Sequence, residues 1–141
     1  MSQDTVPLPL RRRVRERAGD RCEYCGVSQD GQEATFHVDH IRPRRDAGTS
    51  DLANLALACV SCSLRKGART TVTDPDSGQT TACFNPRIDE WQDHFSLDRE
   101  FSIVGKTPIG TATVQLLRMN RPLAIAIRRE AALRRRIPTK P

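Results

Sequence analysis

The chain has 141 residues, of which 37% are hydrophobic, 28% charged and 4% aromatic, and its formal net charge is +6. That length suits a single domain, and so modest an apolar content makes a core that a bound metal or a partner would help to hold. Few aromatic rings argue against stacking along a single nucleic-acid strand, and no apolar run is long enough for a membrane span or placed as in a secretory signal. The expectation is a soluble cytoplasmic protein in a reducing compartment, where paired thiols suggest metal rather than disulfides.

Residues 7–20, PLPLRRRVRERAGD, read as a short basic helix: Leu10, Val14 and Ala18 recur every four positions and Gly19 stops the run. ATFHVDHI, residues 34–41, has the composition of a strand, and RPRRDAGTSD after it is a polar loop broken by Pro43 and Gly48. NLALACVSCSLRKG, residues 54–67, begins as a strand and becomes a helix ending at Gly67, with Arg65 and Lys66 in the favourable last turn. The local order is strand, loop, strand, helix.

Further on, DPDSG is a turn and TTACFNP a strand closed by Pro86. IDEWQDHF spaces Trp91 and Phe95 as on one helix face, and EFSIVGKTPIG suits a strand and turn. Two helices follow, one near Ala112 to Met119 and one started by Asn120 with Pro122 in its first turn and stopped before Pro138. From Arg118 onward eight basic residues face one acidic residue, Glu130, so this end carries +7 and the remainder about −1. Such an end suits a polyanion or a solvated helix face; Leu123 and Ile127 are expected to turn to the core and leave the arginines outside.

The five cysteines are Cys22, Cys25, Cys59, Cys62 and Cys83. Cys22 to Cys25 and Cys59 to Cys62 are two C-x2-C pairs with 33 residues between them. Four thiolates at about 2.3 Å make a closed tetrahedral Zn2+ site, for which two such pairs are the sequence signature; a redox pair or plain buried thiols are the alternatives. A closed site leaves no position for substrate, so this zinc is expected to hold the fold and perform no chemistry. Cys83, without a partner, reads as a small core residue.

The residues able to do chemistry lie between the pairs or just past them: His37, Asp39, His40, Asn54, Ser63, Arg65 and Lys66. Each alone has an ordinary structural reading, as a satisfied histidine, a hydrogen-bond acceptor or a turn former. Together they have what phosphodiester hydrolysis requires, namely a base near neutrality, a cation for the developing charge and rigid positioning. His40 could be the base, Asp39 could hold Mg2+, and Asn54 could brace the loop that aims His40.

CEYC, HVDHI, LANL and CVSCSLRKG, in this order and spacing, resemble the HNH endonucleases over about residues 11–70. The resemblance implies an α+β chain with a ββα-metal core (residues 21–70) clamped by the four cysteines, an N-terminal basic helix (1–20) and a C-terminal α+β extension (71–141), as one domain. DP, FNPR, W, HF and TATVQLL downstream are similar to the extension of small bacterial members. The resemblance implies metal-dependent hydrolysis of DNA, most simply double-stranded, with Mg2+ or Mn2+. It makes Asp39 the metal ligand, His40 the base and Asn54 the loop organiser.

Adjacent strand residues point to opposite faces, so His37 and Asp39 should share one, and the strand must end or twist near Asp39 for Asp39 and His40 to reach one phosphate. Arg42, Arg44 and Arg45 in the loop, with Arg65 and Lys66, are then the expected phosphate contacts. Where the family usually places His or Asn as the second metal ligand, this chain has Ser63. A hydroxyl is the weaker ligand, and His37 is a candidate to supplement it. The competing readings are a zinc-stabilised nucleic-acid-binding module that has lost cleavage and a zinc domain for protein interaction. A double-strand cut from one site per chain would be easiest for a homodimer.

Overall fold

The computed structural model describes residues 6–136. Residues 1–5 of the basic N-terminal segment and the stop before Pro138 lie outside the described residues. Helix α1, Leu8–Ala18, buries Val14 and ends at Gly19, whose φ of 62° lets its N–H close back on Arg15 and Glu16. Leu10 and Ala18 pack half-buried against the core, so the four-residue spacing marks the inner face.

The centre is a hairpin and a helix. β1 (His37–His40) pairs antiparallel with β2 (Leu55–Ala58), in register from His37 opposite Ala58 to His40 opposite Leu55. β2 is buried throughout, and α2 (Val60–Lys66) follows immediately with Cys59 as its N-cap. The loop between the strands folds back sharply at Gly48, where a Cβ would collide with the Arg42 carbonyl.

Beyond α2 the chain forms two more hairpins. β3 (Thr71–Thr73) pairs with β4 (Thr80–Ala82) across the turn read from DPDSG. β3 is absent from the sequence reading because its exposed threonines show no core face. α3 is a single turn, Trp91–His94, and Phe95 already begins β5 (Phe95–Leu97), which pairs with β6 (Ile103–Gly105). The expected Trp91–Phe95 contact is present, with ring centroids 5.0 Å apart.

α4 runs Pro108–Leu117, starting four residues before the expected Ala112. Its signal is Thr107-Pro108: the Thr107 hydroxyl caps the Gly110 N–H, and proline fits the first turn. A Cβ on Gly110 would strike the His94 carbonyl, so α4 sits directly on the α3 backbone.

α5, Pro122–Arg136, starts at the expected proline, and Ile127 packs half-buried against the core as expected. Leu123 is 67% exposed, whereas Ala124 and Arg128 are buried. The Arg128 guanidinium meets the carbonyls of Cys25, Phe101 and Met119, which repays its burial. One cluster of buried residues extends from Val6 to Ala124. The architecture is α+β, and no described helix is long and apolar enough to cross a membrane.

Candidate functional site: a four-cysteine metal centre beside a braced histidine loop

Each C-x2-C pair turns its own backbone toward a sulfur. The Cys25 N–H lies 3.5 Å from Cys22 Sγ, and the Cys62 N–H lies 3.4 Å from Cys59 Sγ. The four sulfurs are within 4.8 Å of one another and all four cysteines are buried. The Cys25 and Cys59 sulfurs are 3.7 Å apart, matching the edge of about 3.8 Å that a tetrahedron with bonds of about 2.3 Å requires. With thiols alone, burial drives Cys22 up, while hydrogen bonding from Cys22, Cys25 and Cys62 pulls Cys59 down. A divalent cation lets all four sulfurs ionise. The donor set fits structural zinc.

His40 ends β1 and turns to the loop. Its Nε2 is 2.9 Å from Ser50 Oγ, and its Nδ1 is buried with no hydrogen-bond partner among the described residues. Burial lowers its pKa, and the positive charges of Arg44 and Lys66 lower it further, so the imidazole is neutral at neutral pH. Asn54 braces the loop as expected: Oδ1 accepts from the Arg42 N–H at 2.9 Å, and Nδ2 donates to the carbonyls of Arg42 at 3.0 Å and Thr49 at 2.7 Å.

His37 and Asp39 turn to α2. His37 Nδ1 is 2.8 Å from Ser63 Oγ, while Asp39 Oδ2 accepts from Tyr24 Oη and from Lys66 Nζ, each at 3.1 Å. Burial raises the Asp39 pKa, and the Lys66 ammonium opposes that rise. β1 is regular and ends at His40, one residue beyond Asp39, which is the first of the two expected alternatives, an end rather than a twist. The cysteine frame, the hairpin, its loop and the helix thus stand in one contiguous segment.

Residues 22–69 match the HNH endonuclease family model.

The matched segment contains both cysteine pairs, the histidine loop and all of α2. It supports a nuclease-like function and nucleic-acid binding in general terms. Neither a curated protein nor a solved structure matches the chain.

Within the HNH segment, Arg42, Arg44 and Arg45 are exposed on the loop, where a backbone phosphate could be met. Arg65 is half-buried and its Nε bonds Ser61 Oγ at 3.2 Å. Lys66 differs from expectation: it is 1% exposed, and its ammonium also reaches the carbonyls of His40 and Ile41 at 3.3 Å. Position 66 lies one turn beyond Ser63 on the same face of α2, so this lysine points into the fold. Lys66→Met is expected to cost about 3 kcal/mol in chemical denaturation because it strands a buried carboxylate, and adding Asp39→Asn should recover most of it. Additive losses would show that the pair is not coupled.

Tyr24, Ser50, Arg121 and Arg128 also engage the site. Tyr24 had a signal, being the only tyrosine in the chain and set inside the first cysteine pair, since a buried tyrosine needs a partner for its hydroxyl. Ser50 had none, because a serine in a polar loop is common. Arg121 and Arg128 were counted with the basic end, but both are engaged within the fold. Arg118, Arg129 and Arg134 are exposed, and Arg134 pairs with Glu130 at 3.6 Å.

Proposed function

We propose that the HNH segment is a metal-dependent endonuclease that hydrolyses phosphodiester bonds in double-stranded DNA, with His40 as the base that activates water. The observation that carries this reading is the state of His40: a neutral imidazole, tethered at Nε2 by Ser50, with Nδ1 buried and without a partner among the described residues, beside a loop braced by Asn54. A base needs that combination of free lone pair, suitable pKa and fixed aim. In the tautomer that leaves Nδ1 unprotonated, Nε2–H donates to Ser50 Oγ and Nδ1 is the nitrogen that takes the proton.

The residues that would hold Mg2+ or Mn2+ are Asp39, through Oδ1, together with Ser63 and His37. They fit an ion that keeps most of its own water, because Asp39 Oδ2 is already taken by Tyr24 and Lys66 while Oδ1 has no hydrogen-bond partner among the described residues. The ion would stabilise charge developing on the scissile phosphate. Arg42, Arg44 and Arg45 would orient the DNA backbone, with Arg65 at the helix end, and Asn54 holds the loop that carries them. A double-strand cut would bring two copies together, and the free thiols suit a reducing cytoplasm.

A supercoiled-plasmid assay with Mg2+, with Mn2+ and without added divalent ion is expected to show nicking only with metal. Duplex binding without cleavage under every metal would instead establish a binding module. The involvement of Asp39 with Lys66, and of Ser63 with His37, favours that second reading. Ser63→Asn or Ser63→His is expected to raise the rate severalfold at limiting Mg2+ by adding a stronger ligand than a hydroxyl. Unchanged metal dependence in both variants would remove Ser63 from the metal position.

A further inference from the structure

Two arginines reach the cysteine cluster from the far end of the chain. Arg121, just before α5, donates from Nη2 to Cys59 Sγ at 3.5 Å, and Arg128 on α5 donates from Nε to the Cys25 carbonyl at 3.0 Å. Arg128 also holds the carbonyls of Phe101 and Met119, so one buried guanidinium ties α5 to the first cysteine turn and to the segment between β5 and β6. Among the described residues, neither arginine has a carboxylate partner.

Arg128 is buried and Arg121 half-buried with no carboxylate to balance their charge, and four thiolates around one divalent ion leave two negative charges in excess. Each problem answers the other. We propose that Arg121 and Arg128 supply the counter-charge of the four-cysteine zinc centre. The two act differently: Arg121 withdraws electron density from the Cys59 sulfur, while Arg128 fixes the peptide that aims Cys25. Both are positioning residues for the metal, and the inference is independent of whether the chain cuts DNA.

Competition with a chromogenic chelator measures the effect on the full chain. Arg121→Met is expected to lower zinc affinity about 10- to 100-fold, and Arg121→Lys should restore most of it. Arg129→Met removes an exposed charge from the same helix, and Ile127→Ala loosens its packing without touching a thiolate; both should stay near wild type. With Co2+ in place of zinc, the sulfur-to-metal charge-transfer band should move to lower energy in Arg121→Met alone. If Arg121→Met gives no soluble protein, Arg121→Gln replaces it and should fall between wild type and the loss expected for Met. Affinity within about twofold of wild type for the uncharged variant, or an equal loss in Ile127→Ala, overturns the proposal.

Discussion

Replacing His40 by alanine is expected to lower plasmid cleavage by about 10²- to 10⁴-fold while leaving duplex binding close to wild type. The size follows from the role, since removing the base leaves water to attack a charged phosphodiester with only electrostatic help. Loss of the Ser50 hydrogen bond should cost only about 1 kcal/mol of stability, which does not unfold a domain. His40→Gln makes the test sharper, because an amide can still reach Ser50 but takes up no proton near neutrality. Initial nicking rates at fixed Mg2+, with binding followed by fluorescence anisotropy of a labelled duplex, separate the two effects. Cleavage surviving in His40→Gln would remove His40 as the base. Loss of binding in step with cleavage would make it a structural residue.

Removing the metal from the cysteine centre should have the larger effect on the fold. Structural zinc in small domains is worth about 10–16 kcal/mol, comparable with the whole stability of a domain at about 5–15 kcal/mol. A strong chelator, or Cys62→Ser, is therefore expected to unfold the HNH segment cooperatively. The single tryptophan gives a clean signal, because Trp91 Nε1 donates at 2.9 Å to the carbonyl of Tyr24, which lies between Cys22 and Cys25. Its emission should shift to the red as the cysteine turn opens. Cys83→Ser is the control, since that thiol is buried outside the cluster and its replacement should leave metal retention unchanged. Unaltered tryptophan emission and near-ultraviolet circular dichroism after chelation would show that these cysteines hold no folding metal.

The metal centre was legible in the chain because its requirements are local. Two sulfurs on one turn must be three positions apart, and that spacing survives whatever the rest of the molecule does. The order of strand, loop, strand and helix was legible for the same kind of reason, with Gly48 and Gly67 as punctuation and an apolar run for β2. Asn54 could be read as the loop brace because its partners, Arg42 and Thr49, lie in the same loop.

What the sequence could not show was the direction of long side chains whose partners are distant in the chain. Lys66 carries the sequence signature of a phosphate contact, yet it is drawn inward by Asp39 and by the carbonyls at the end of β1. Arg121 and Arg128 belong by composition to a basic tail, and they are held by the cysteine cluster and by carbonyls of Cys25, Phe101 and Met119. On α5 a bound guanidinium outweighs the preference of one leucine for burial, leaving Leu123 exposed and Arg128 buried. The amino-acid sequence by itself determined the four-cysteine cluster, the hairpin and helix beside it, and which histidine is the candidate base. The tertiary structure decided which charges reach solvent, because that depends on where unpaired carbonyls, thiolates and carboxylates come together once the chain is folded.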